Sequence, residues 1–218
     1  MKTVLFLVFV SMISVSTIGF GQSRIEGVKV GVNFAAINGV TNSLNNQSIT
    51  ALNAGVFTTL DIAGLLALQP ELLYTVKGFK LTRVITNEGG PTPPQPFFLT
   101  GNNSYFEIPV LLKLKFPSSS LGIIRPNVFA GPEVAFGLSS KLTVQSTDPL
   151  ITEDNGSETN SKPTDFGIII GADADINLPG VTLIIDVRYD MGMKSLDFSQ
   201  GPDQIKNRVL TINAGIGI

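Results

Sequence analysis

Two short runs in the chain put ionisable groups on alternate residues. Asp173-Ala174-Asp175 carries two carboxylates two positions apart, and Asp186-Val187-Arg188-Tyr189-Asp190 carries acid, guanidinium and acid at the same spacing. On a strand, residues two apart project from one face, so each run lines up its charges in one direction. Such lines could hold a metal ion through oxygen ligands or supply an acid–base pair. Arg188, however, stands among these acids as a ready counter-ion, and the chain has no histidine to add to the oxygens or to act as an imidazole base. No catalytic residue, metal site or cofactor is therefore expected, and Ser-His lipases, deacylases and acyltransferases are excluded.

The elements that hold these runs announce themselves by period two. Val28, Val30, Val32 and Phe34 alternate with Lys29, Gly31, Asn33 and Ala35. Phe106, Ile108, Val110, Leu112, Leu114 and Phe116 alternate with positions that include Tyr105, Glu107, Lys113 and Lys115. Apolar and polar faces sustained over about ten residues are the imprint of a strand between lipid and a polar lumen. The pattern predicts strands near 26–36, 52–62, 65–78, 104–116, 123–139, 164–177, 180–192 and 206–218. Long connections at 38–50, 80–103 and 140–163 and a medium one at 194–207 alternate with short ones at 61–64, 117–120 and 177–180. An even strand number with short turns on one side and long loops on the other indicates an all-β, eight-stranded, antiparallel up-and-down transmembrane β-barrel. Its long loops would be extracellular and both termini periplasmic, in a bacterial outer membrane.

Composition agrees. Lys2, an apolar stretch from Val4 to about Ile18 and the small residues Gly19 and Gly21 read as a signal peptide over 1–21, leaving 22–218 as the barrel domain with no transmembrane helix. The 15 basic and 17 acidic residues give −2, and loss of Lys2 with the leader makes −3, too mild a charge to suggest nucleic acid as a partner. Charged residues are only 15%, few for a soluble exported domain, and there is no cysteine, so rigidity has to come from packing and backbone pairing.

The register sends Glu71, Lys77, Glu107, Lys113, Lys115, Arg125, Glu133, Asp173, Asp175, Asp186, Arg188 and Asp190 into the lumen. An eight-stranded interior is just wide enough for side chains to fill, so these groups are expected to pair in a salt-bridge core, with Arg188 as its hub. Phe34, Tyr74, Phe106, Phe136, Phe166 and Tyr189 point outward near the loop-side ends of their strands, as an aromatic girdle at headgroup level would. Pro70, Pro109, Pro126 and Pro132 fall inside strands, where each removes a donor, so bulges or strand ends are expected there. In the loops, the proline-rich 89–96 favours extended backbone, while Asp154-Asn155-Gly156-Ser157 has a fragment of a calcium loop without EF-hand spacing.

Gly27-Val28-Lys29-Val30-Gly31-Val32-Asn33, Gln69-Pro70-Glu71-Leu72-Leu73-Tyr74, Tyr105-Phe106-Glu107-Ile108-Pro109-Val110-Leu111-Leu112-Lys113, Gly131-Pro132-Glu133 and Asp186-Val187-Arg188-Tyr189 together resemble the PorT-like outer-membrane barrels of Bacteroidota. The resemblance spans nearly the whole mature chain and implies an OmpX-like or OmpA-like barrel in which the strand prolines are family features. It carries no function, although one branch serves secretion. The chain departs from the family's usual aromatic terminus by ending Ile216-Gly217-Ile218.

The expected function is that of a plugged barrel whose surface loops make structural or interaction contacts. A narrow pore or small-solute transporter and an accessory factor in secretion are the alternatives, with a soluble lipocalin-like barrel a further possibility of opposite polarity. Expected partners are outer-membrane lipid, the barrel insertion machinery and an extracellular partner reached through the loops.

Overall fold

The computed structural model describes residues 24–38, 45–85, 95–119, 122–146, 154–159, 164–194 and 206–218. The leader expected at 1–21 and most of the proline-rich stretch lie outside these residues. Among the described residues ten strands are formed: β1 Arg24–Asn38, β2 Asn45–Gln47, β3 Ile49–Ala63, β4 Leu66–Ile85, β5 Gln95–Lys115, β6 Ile124–Ser146, β7 Asp154–Thr159, β8 Thr164–Leu178, β9 Val181–Gly192 and β10 Lys206–Gly217. Eight of them close an antiparallel barrel in the cyclic order β1-β3-β4-β5-β6-β8-β9-β10. The seam runs from Gly27↔Gly217 to Asn38↔Lys206. At its turn-side end the Glu26 and Ile218 backbones exchange hydrogen bonds of 3.0 and 2.8 Å.

Closure satisfies backbone groups that lipid could not, and the pleat then sorts the side chains. Val28, Val30, Leu52, Tyr74, Val110, Leu112, Ile168, Ile170, Ile185, Val187, Ile212 and Ile216 all stand exposed on the outer wall. The inward set is odd-numbered in β1, β3, β8 and β10 and even-numbered in β9. The parity changes because Leu178 pairs directly with Val181 across Pro179 and Gly180, and Gly180 supplies the positive φ of 78° that so tight a turn requires.

Three strands run furthest beyond the spans that the alternation predicts. β4, β5 and β6 span 20, 21 and 23 residues. The stretch expected to be loop at 80–103 is largely ladder, with Lys80↔Thr100 through Ile85↔Gln95 paired. Likewise residues 140–146 continue β6, and the calcium-loop-like Asp154-Asn155-Gly156-Ser157 forms part of β7 against it. β2 pairs with residues 80–82 of β4. Backbone pairing thus continues past the residues where lipid imposes an apolar face.

The prolines occupy breaks in the ladder. Thr58, Thr59, Gln69 and Pro70 have no partner across the β3–β4 ladder between Phe57↔Glu71 and Leu60↔Leu68, while Pro70 pairs with Val110 on its other side. Pro109 lies in the gap between Pro70↔Val110 and Leu73↔Glu107, and Pro132 in the gap between Pro109↔Glu133 and Leu112↔Ala130. Each therefore loses its ladder on one side and keeps it on the other, where Pro109 faces Glu133 and Pro132 faces Ile168. Pro126 pairs with Ala174 and its carbonyl accepts from Phe116 N at 3.0 Å.

Aromatic rings fill the lumen above inward glycines. Phe57 lies against Gly27, Gly215 and Gly217, and Phe129 against Gly171. A Cβ on Gly171 would come within 2.4 Å of the Phe129 ring and 2.6 Å of the Val187 carbonyl oxygen. Gly171→Val should therefore destabilise the barrel by about 1–3 kcal/mol through overpacking. Urea unfolding in detergent checks this, and an unchanged midpoint would show that the lumen yields.

Candidate functional site

Most of the ionisable side chains inside the barrel form three groups along its axis, while Asp165 stands apart, accepting from Asn207 Nδ2 at 3.0 Å and from the Phe166 and Lys194 amides. Nearest the short turns, Lys113 Nζ lies 3.0 Å from both Asp173 and Asp175. Asn127 Nδ2 donates to the same two carboxylates at 2.5 and 2.9 Å. The strand spacing of two puts both acids on one face, and β5 brings the lysine across the lumen.

The middle group is a quartet. Arg188 donates to both oxygens of Glu71, at 2.7 and 3.2 Å, and to both oxygens of Asp186, at 3.1 and 2.7 Å. Lys29 Nζ reaches the same acids at 2.8 and 3.0 Å. Two cations therefore face two anions, and Gln69 and Asn213 add donors to Glu71 and Asp186, both at 2.7 Å. The guanidinium carbon also lies over the Phe129 ring, 5.3 Å from its centroid, and Lys29 Nζ lies over that of Phe57 at 5.0 Å. A planar fork is suited to bridging two carboxylates in this way.

Toward the loop side, Lys77 alone meets three acids: Glu107 at 2.5 Å, Glu133 at 3.0 Å and Asp190. Between this group and the quartet lies a neutral cluster in which Asn53 and Thr211 donate to Asn33 Oδ1, both at 2.8 Å, and Asn33 donates to Thr75 at 2.7 Å. The void among these residues is about 10 Å³, bounded by Asn33, Thr75, Lys77, Arg188 and Asn213 among others. That is about the space of one water molecule.

The lumen residues selected from the sequence are thus divided rather than gathered around one hub. Arg188 holds Glu71 and Asp186, whereas Asp173 belongs to Lys113, and Glu107 and Glu133 belong to Lys77. Lys115 sits at the rim with Asp61. Arg125 is also displaced from the core: it is half-buried at the turn side, its Nε donating to Ser118 at 3.3 Å, because β6 has only just entered the wall there. Lys29 is the member that sequence reasoning passed over, although its place between Val28 and Val30 already marked it as inward.

Phe34, Tyr74, Phe106, Phe136, Phe166 and Tyr189 are all on the outer wall, exposed except for the half-buried Phe106. Tyr74 pairs with Phe106 and Phe106 with Phe136 across adjacent strands, and the Tyr74 and Phe106 rings meet edge to face at 6.3 Å. In β4, β5 and β6 this row lies near mid-strand, not at the strand end, because these strands continue beyond it.

A closed antiparallel sheet with an apolar exterior and a charged interior defines a transmembrane β-barrel. The profile of the outer membrane protein beta-barrel domain matches residues 20–197, and the chain belongs to that family. It is a protein of the bacterial outer membrane. Among solved structures it is similar to a major outer membrane protein of Thermus thermophilus, with 16% identity, 89% of this chain and 98% of that one covered, and a TM-score of 0.48. It is also similar to Ail, the attachment invasion locus protein of Yersinia pestis, with 11% identity, 90% and 99% covered and a TM-score of 0.45. Neisserial surface protein A gives 14% identity, 90% and 98% covered and a TM-score of 0.43. No curated protein matches the chain in sequence.

Proposed function

We propose that this protein is a filled barrel, PorT-like and from a member of the Bacteroidota, that anchors an interaction surface in the outer membrane. It is neither an enzyme nor a pore in this reading. The observation that carries it is the lumen: among the described residues three ion-paired groups occupy successive levels along its axis, and the void between two of them is about 10 Å³. The short turns face the periplasm with both termini, and the prolonged β4, β5 and β6 present the surface outside the cell. Its partners are membrane lipid, the insertion machinery that reads the last strand, and an extracellular protein or envelope component. A part in secretion across the outer membrane is compatible with this design, since it needs only an anchored docking face.

Planar-bilayer recordings test the filled lumen. Purified protein should leave the bilayer at baseline, without steady steps. Stable, large single-channel conductance would replace this reading with that of a pore or small-solute transporter.

A further inference from the structure

The loop-side group does not balance. Three carboxylates, those of Glu107, Glu133 and Asp190, converge on the single ammonium of Lys77, and each of these residues is at least nine-tenths buried. The quartet a few residues away pairs two cations with two acids and the turn-side group exceeds its lysine by one acid, so this group has the largest excess of the three, two carboxylates more than cations in a water-poor interior, where an unpaired charge is expensive. The three carboxylates can offer oxygens that all lie within 4.8 Å of one another.

A second observation comes from the neutral residues. Asn53 and Asn213 are buried and line the same small cavity as Glu107, Glu133 and Asp190, and their Oδ1 atoms have no hydrogen-bond partner. Glu133 Oε2 and Asp190 Oδ1 are likewise unpartnered. The amide donors of both asparagines are already committed, to Asn33 and Asp186. These unmet atoms are all acceptors, and a single water could give only two protons to them. A cation can engage several oxygens at once.

We propose that this cavity holds one hard divalent cation, calcium or magnesium, ligated by carboxylate oxygens of Glu107, Glu133 and Asp190. The donor set is all oxygen, which suits such ions, and a charge of +2 brings the group with its lysine to neutrality. The three ligating residues are buried in the lumen, so the ion would enter as the barrel folds and exchange slowly afterwards. Asp173 and Asp175 lie at the other end of the lumen with Lys113 and Asn127 and belong to no cluster of three acids, so Asp173 serves as a control for a buried carboxylate away from the site.

The test is to unfold the protein in guanidinium with EDTA and refold it into detergent with calcium, with magnesium or with neither. Gel filtration in EDTA-containing buffer then removes loosely held ions before elemental analysis, and thermal unfolding is followed in parallel. One equivalent of calcium or magnesium should be retained, with a midpoint several degrees above that of metal-free protein. Glu133→Gln and Asp190→Asn should each retain less than a tenth of an equivalent and lose the metal-dependent shift, whereas Asp173→Asn should keep both. The heat-dependent shift in gel mobility identifies which variants are folded, and only folded material is compared. If wild-type protein refolds fully in EDTA, retains no metal and melts at the same temperature with or without it, protons carry the excess charge and the proposal fails. Retention of a full equivalent by both variants also overturns it.

Discussion

Arg188→Ala is expected to lower the unfolding free energy in detergent by about 3–5 kcal/mol, the cost of removing one partner from a buried ionic network. Arg188 is 3% exposed and donates four hydrogen bonds to Glu71 and Asp186. Without it, two buried carboxylates would share Lys29 alone, and the Phe129 ring would lose the cation over its face. Glu71→Gln in the same chain restores the balance of one cation to one anion, so the double variant should recover part of the loss. Urea titration followed by tryptophan-free probes, such as far-ultraviolet circular dichroism, measures both. An Arg188→Ala barrel as stable as the parent would show that water reaches the quartet and replaces the guanidinium.

Val110→Arg should cost about 2–4 kcal/mol, the penalty of a cation near the hydrocarbon midplane of a barrel. Val110 is on the outer wall, between the outward Phe106 and Phe116 of the same segment. Ten residue steps separate those rings, or about 33 Å of strand, which at a tilt of about 40° spans roughly 25 Å along the membrane normal. That matches the apolar band of such barrels, with Val110 near its middle. The variant should insert poorly into vesicles and unfold earlier in urea. Parental insertion yield and midpoint would mean that Val110 faces away from lipid.

Where lipid and lumen impose opposite demands, the chain is easy to read. Val28 to Phe34 and Phe106 to Phe116 reveal both their face and their length because every outward position must be apolar and the inward ones tend to be polar. Glu71, Asp186 and Arg188 are legible as inward for the same reason. Their pairing is less so, since partners such as Lys29 and Glu71 lie 42 residues apart and meet through the barrel's shear, which alternation does not encode. The prolonged hairpins are hidden for a different cause. Gly101, Asn102, Asn103 and Ser104 belong to β5, yet beyond the hydrocarbon neither face needs to be apolar and the period-two signal fades while the hydrogen bonds continue. The short strands β2 and β7 escape notice likewise, being only 3 and 6 residues long.

The seam between β1 and β10 also orders events in time. Glu26 and Ile218 are neighbours in space but stand near opposite ends of the described chain, so their contact closes the largest loop among the described residues. Hairpins such as β8–β9, joined through two residues, can form early at little entropic cost, whereas the seam must wait until both chain ends are present and aligned. Until then β1 and β10 each offer an unpaired edge to any other strand, the period in which a nascent barrel is most open to aggregation. The same delay makes the quartet a late event: Lys29 comes from β1 and Asp186 from β9, and only closure brings them together. Ionic pairing in this lumen therefore rewards completion of the barrel instead of guiding its first steps.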